Sequence, residues 1–296
     1  MKQLGIIAGK EFGDRLRSGW VIACALVWLG AIALTSLFGL VQVGKIGLQG
    51  YERTVVSLLS LVQYLVPLLA LLLGHDLLVC EREEKTLSLI LAGGVPRSRL
   101  LLGKFLGGCA TLGVPLTLGF AIAGTAIGLA AKDNGIAPFL KLALSGLVLG
   151  IIFLGLGLVI STVCRTRVQA LVFALLAWCM AVFVFDLAAM GWLVTTRSAE
   201  AAREVEAATD ATHVNAMPDL HAAFEKGDDA AARVRASGPK SAPSWLLFNP
   251  VDLFRAINLP KDLAPAVPPA AAMLSVSLWL AGCLGAGVWK LARLDL

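Results

Sequence analysis

The sequence is short of charge, short of histidine and without paired cysteines. Charged residues make up 15% of the 296 positions and hydrophobic ones 58%, a balance foreign to soluble domains. Three histidines and two tyrosines leave few groups for acid–base work. Neither a G-x-S-x-G elbow nor an H-E-x-x-H pair occurs, so hydrolase chemistry has no visible basis. The cysteines at 24, 80, 109, 164, 179 and 283 stand singly, without a C-x-x-C pair. They imply neither a disulfide framework nor a thiolate relay for a soft metal. Strict apolar–polar alternation is also missing, which excludes a closed barrel.

What the chain has instead is six continuous apolar runs: Trp20–Val43, Val55–Val79, Phe105–Ala131, Phe139–Val163, Val168–Val194 and Val267–Val288. Each approaches or exceeds the roughly 20 residues with which a helix crosses about 30 Å of hydrocarbon. The expected fold is all-α, a polytopic membrane protein with six transmembrane helices. The first run follows basic residues as a signal peptide would, but it outlasts an h-region and lacks a small-residue cleavage site, so it reads as a retained span.

Basic residues set the orientation. Lys2, Lys10, Arg15, Arg17, Arg82, Lys85, Arg97, Arg99, Lys104, Arg165, Arg167, Lys290 and Arg293 would share one side, against Lys45, Arg53 and Lys132 in the opposite short loops. Both termini are therefore expected in the cytoplasm, in a bacterial inner membrane. The net charge of +5 then reflects topology rather than nucleic-acid binding, and Lys141 snorkels at a span end.

Four regions follow. Residues 1–19, with Leu4, Ala8, Phe12 and Leu16 at helical spacing, read as an amphipathic interfacial helix on membrane lipid. Residues 20–194 hold spans one to five. Residues 195–266 form a long, helical outer (periplasmic) segment, and 267–296 the sixth span and a cytoplasmic tail. Within the outer segment, Asn249-Pro250 supplies an N-cap and a first-turn proline, with Leu253, Phe254 and Ile257 as apolar face and Asp252, Arg255 and Asn258 as polar face.

The densest charge lies in Cys80-Glu81-Arg82-Glu83-Glu84-Lys85-Thr86. Each charge at a bilayer centre costs roughly 2.5–3.5 kcal/mol or more, so the cluster marks a turn outside the membrane. Glu81 and Lys85 sit i,i+4 in the favourable order. The spacing predicts one surface helix over 81–92, stopped by Gly93-Gly94, that offers a docking surface.

Other groups are further candidate sites. Gly39 to Ile46 nearly spells a phosphate-binding loop, but Ile46 replaces the magnesium-binding hydroxyl and no strand precedes it, so nucleotide binding is excluded there. His213, Met217 and His221 are spaced by four as soft and borderline metal ligands, though Pro218 interrupts their face. Asp186, and His75 with Asp76 near the end of span two, are intramembrane ionisable groups and hence functional candidates; helix anchoring by hydrogen bonding is the alternative for Asp186. The pairs Gly103/Gly107, Gly124/Gly128 and Gly146/Gly150 would permit close helix approach without naming an interface.

Six spans, an amphipathic first helix and the phrase EREEKTLSLILAGGVPRSRLLLGKF at 81–105 resemble the permease subunits of type-two ABC exporters. LVPLLALLLGHDLLVCERE (65–83), FVFDLAAMGWLV (183–194) and WLLFNPVDLFRAINL (245–259) are similar to the permeases encoded in nitrous-oxide reductase gene clusters. The resemblance implies a non-catalytic permease that forms a homodimer with a second copy. It implies an ATP-binding subunit holding ATP and magnesium, docked on Glu81, Arg82, Glu83, Glu84, Lys85, Thr86, Leu87 and Leu91. It further implies a periplasmic accessory protein meeting Trp245, Asn249, Pro250, Asp252, Phe254 and Arg255, and a role in maturing the reductase's copper centre. The charged stretch at 198–240 departs from that pattern and leaves open a paralogue serving another pathway. An exporter of a lipid, drug or peptide is the alternative, and a scaffold or enzyme without an ATPase the more distant one.

Overall fold

The computed structural model describes residues 2–43, 49–130, 136–184, 248–258 and 268–293, with isolated positions 187, 191 and 195. Its helices are α1 (Lys2–Leu16), α2 (Gly19–Val43), α3 (Gln49–Gly74), α4 (Val79–Glu83), α5 (Thr86–Ala92), α6 (Arg97–Ala130), α7 (Ile136–Val163), α8 (Arg167–Cys179), α9 (Pro250–Asn258) and α10 (Pro269–Ala292). A π-helical segment, Met180–Val184, continues α8. Among the described residues six stretches are long and apolar enough to cross a membrane: Gly19–Ser36, Ser57–Glu83, Arg97–Thr125, Pro138–Val163, Arg167–Val184 and Ala270–Ala292. These bear out the all-helical, six-span expectation.

Span four, α7, lies at the centre, in contact with α3, α6, α8, α9 and α10. Small residues on its surface admit the neighbours. A Cβ on Gly146 would come within 3.0 Å of Phe120 and Val62, and one on Gly150 within 3.1 and 3.2 Å of Leu112 and Val66. The apolar core contains Trp28, Phe153, Leu154 and Leu158, all fully or almost fully buried. Trp28 meets Phe120 edge-on at 5.5 Å, and Phe120 meets Phe139 at 6.4 Å, the geometry that aromatic quadrupoles favour.

The outward faces stay apolar. Leu26 on α2, Phe173 and Leu176 on α8, and Leu274 and Leu278 on α10 are exposed, as suits helices whose solvent is lipid. Between α7 and α10 runs an apolar groove of about 610 Å³, lined by Leu156, Val159, Leu274, Leu278 and Trp279 among others.

The amphipathic α1 lies along the first turns of α6. Gly103 and Gly107 form the seat: a Cβ on Gly103 would strike Ile7 at 2.7 Å, and one on Gly107 would strike Glu11 Cβ at 2.7 Å and the Ala8 carbonyl at 2.9 Å. This G-x-x-x-G pair therefore has an interface, and its partner is the N-terminal helix. Leu4, Ala8, Phe12 and Leu16 are half-buried as the spacing predicts, together with Ile7, Glu11 and Arg15.

Candidate functional site

The charged cluster sits where span two breaks. α3 stops at Gly74 because span four presses on it: a Cβ there would stand 2.8 Å from the Leu154 carbonyl and 2.9 Å from Gly157 Cα. His75 to Leu78 form a turn and α4 restarts the helix. Its N-cap residue, Leu78, has no side-chain acceptor. The hydroxyl of Ser161, on α7, accepts from the Leu78 and Val79 N–H groups, each at 2.8 Å.

The single helix expected over 81–92 is not formed. α4 ends at Glu83, and Lys85 takes a left-handed φ of 60° before α5 begins. A non-glycine residue in that region changes the chain's direction and interrupts the helical ladder. Glu81 consequently pairs not with Lys85 but with Lys104, at 2.9 Å. Gly94, at φ 79°, follows α5 and ends the motif, as the glycine pair predicted. The Thr86 hydroxyl donates to the Glu81 carbonyl at 3.2 Å, joining the two short helices across the bend.

The eight expected docking residues divide by this geometry. Glu83, Glu84 and Lys85 are exposed; Glu81, Arg82, Thr86 and Leu91 are half-buried. Leu87, at 1% exposure, belongs to the core. Arg82 donates to the Cys164 carbonyl at 2.6 Å. Arg167, at the head of span five, pairs with Glu83 at 3.1 Å and with Glu84. Sequence reasoning missed Leu89, which is 75% exposed in the middle of α5. In a segment as leucine-rich as Leu87 to Leu91, with Ser88 its one polar residue, periodicity gives little sign of which leucine faces out.

A chain of ion pairs runs from this bend to α1. Glu81 and Glu11 both hold Lys104, at 2.9 and 2.8 Å, and Glu11 and Asp76 both hold Arg15, at 2.5 and 2.9 Å. Arg15 also donates to the Leu73 carbonyl at 3.1 Å, which has lost its helical partner where α3 ends. The Lys104 side chain is only 5% exposed, and these two carboxylates are its partners there. Burial alone would raise the Glu11 carboxyl, but the charges of Lys104 and Arg15 outweigh it and hold the group below its ordinary value. Burial likewise opposes the Arg15 charge, and Asp76 and Glu11 more than restore it, raising the guanidinium above its usual range.

Two intramembrane candidates thus acquire structural partners. Asp76 anchors α1, and His75, buried, places Nδ1 2.8 Å from the Leu72 carbonyl. Asp186, Trp245, His213, Met217 and His221 lie outside the described residues. Among the described residues no three His, Cys, Asp or Glu converge as metal ligands, and the cysteines are free.

At the other end of the bundle, α9 begins as Asn249-Pro250 predicted: the Asn249 carbonyl oxygen of the side chain accepts from Val251 N–H at 3.2 Å. Its polar face is not outward, however. Asp252, at 3% exposure, accepts from Asn249 Nδ2 at 2.8 Å, and the same nitrogen donates to the Ala181 carbonyl at 2.9 Å. That carbonyl belongs to the π segment, where a widened turn disrupts the normal helical ladder. Arg255 donates to Gln63 at 3.2 Å and Asn258 to Ser145 at 2.8 Å. Asn249, Pro250, Asp252 and Phe254 are buried and Arg255 half-buried. These side chains therefore pack against α3, α7 and the π segment within the chain.

Comparison with known proteins places this arrangement. Residues 6–296 match the family described as "ABC-2 family transporter protein". Over 292 residues, 95% of this chain and 92% of the relative, it is 35% identical to the "Probable ABC transporter permease protein NosY" of Pseudomonas aeruginosa. Over 263 residues, 88% of this chain and 82% of the relative, it is 30% identical to the protein of the same description from Stutzerimonas stutzeri.

Proposed function

This chain belongs to the ABC-2 transporter family as a non-catalytic, membrane-spanning permease subunit, and on that premise we propose that it couples ATP hydrolysis to maturation of the copper centre of nitrous-oxide reductase. ABC permeases pair with ATP-binding subunits, and ATP with its magnesium is held there. The working assembly is a homodimer of this chain with two such subunits and a periplasmic accessory protein, in a bacterial inner membrane with both termini in the cytoplasm.

The observation that carries the pathway is the near-full-length similarity to two NosY proteins. Docking is supported by the bend at Lys85. It turns Glu83, Glu84, Lys85, Ser88 and Leu89 outward on two short helices, and an apolar tip ringed by charge suits a protein groove. The positive-inside distribution supports a cytoplasmic position for that surface.

The test is deletion of the gene in its native host, with copper per reductase measured on the purified enzyme. Copper-deficient reductase, restored by the wild-type gene and not by Glu83→Lys with Glu84→Lys, is the expected result. Fully loaded reductase in the deletion strain overturns the copper reading and leaves the exporter of a lipid, drug or peptide.

A further inference from the structure

Span two and the docking helices are continuous in sequence but not in structure. Between α3 and α4 the chain passes through the turn at 75–78, and a turn can bend where a helix would transmit. The first N–H groups of a helix lack intrahelical acceptors, and at α4 the capping position holds Leu78, which cannot supply one. The acceptor comes from another span: Ser161 Oγ, 2.8 Å from both Leu78 N and Val79 N.

All three residues are 0–2% exposed, so water does not compete for those bonds. Ser161 stands one helical turn beyond Gly157, whose backbone meets Gly74. The last residue of α3 and the first of α4 are therefore held on one turn of α7, which splints the break between them. On the far side of α4, Arg82 reaches the carbonyl of Cys164 at 2.6 Å, the residue just past the end of the same helix. Thr86 joins α5 to α4, so the docking tip is tied through α4 to span four.

We infer that Ser161 is the positioning residue for coupling: by capping α4 from span four, it makes the docking helices and the span two–span four pair move as one body. The inference rests on the reading of α4 and α5 as the ATPase docking element. Without the hydroxyl, two buried N–H groups lose their acceptor and the bend becomes a pivot that absorbs the stroke.

The experiment uses the permease with its ATP-binding subunit in nanodiscs, and follows hydrogen–deuterium exchange of residues 138–150, the far half of span four, with and without ATP. In the wild type ATP changes exchange in that segment. In Ser161→Ala the ATP-binding subunit still co-purifies and hydrolyses ATP, but the ATP-dependent change is lost; Ser161→Thr, which keeps the acceptor, retains it. Ser161→Cys preserves volume with a weak acceptor and gives a reduced response, which decides the matter if the alanine variant fails to insert. A wild-type response in the alanine or cysteine variant overturns the assignment. Failure of the wild-type permease to retain any ATP-binding subunit overturns the docking reading beneath it, and is a separate observation.

Discussion

Gly74 and Gly157 meet backbone to backbone, with the Cβ position of either residue 2.9 Å from the other's Cα. No side chain fits that crossing, and overpacking a closed core costs about 1–3 kcal/mol or more. Gly157→Ala should lower the thermal midpoint of the purified protein by several degrees. Gly282→Ala, on a face with nothing within 4 Å, should leave it unchanged or slightly raised. Equal midpoints would show that the crossing is looser than described.

Lys104 is the hinge of the ion-pair chain, so Lys104→Met strips a partner from both Glu11 and Glu81. Removing one member of a buried pair costs about 3–5 kcal/mol, and the loss should appear as release of α1. Limited proteolysis within residues 2–16 should accelerate sharply, and Lys104→Arg should restore resistance. Unchanged cleavage would mean that the glycine seat alone holds α1.

The same network fixes a pH window. Because Glu11 is held below its ordinary value, its contribution is complete above the unfolded value of about 4.3 and is lost as pH falls through the lower folded value. Arg15 is raised, so its contribution persists up to the ordinary arginine range and fails only beyond it. Thermal midpoints should therefore be insensitive to Glu11 between pH 6 and 8 and fall below about pH 4. Glu11→Gln should be less stable than wild type at neutral pH and should approach it in acid. A constant difference between the two at all pH values would refute the linkage.

Leu89 gives the proposed docking face an exposed apolar side chain without serving the fold. Leu89→Asp should abolish co-purification of the ATP-binding subunit while leaving thermal stability within about 0.5 kcal/mol, as for other exposed substitutions. Glu83→Lys with Glu84→Lys should do the same, since exposed pairs such as those with Arg167 contribute only about 0–1 kcal/mol. Retention of the ATPase by both variants would move docking elsewhere.

The six spans were legible because a membrane reduces the problem to runs of about 20 apolar residues. The seat of α1 was half legible: Gly103 and Gly107 announced a close approach but not what approached. Glu11 and Arg15 stand i,i+4, but the set they form with Asp76 and Lys104 stayed hidden, because those further pairings join residues 61 and 93 positions apart and local charge spacing says nothing of such partners. The i,i+4 pair of Glu81 and Lys85 misled for the same reason, since a buried lysine elsewhere competed for Glu81. The break at Lys85 left no glycine to announce a left-handed residue. At α9, capping chemistry was read correctly, but Asp252 was placed outward because a lone carboxylate gives no sign of the buried amide that awaits it.

The π segment of span five bears on how such a chain can change length. A residue added to a regular helix turns everything beyond it by about 100°, which would swing a lipid-facing side inward. A π segment accommodates an extra residue as a widened turn. Deleting one residue within 180–184 would leave the faces of α8 as they are and draw the Ala181 carbonyl back into the helical ladder, costing the Asn249 amide one of its two acceptors. Insertions and deletions among relatives should thus be tolerated by the span itself, and their effect should be felt first at the anchorage of α9.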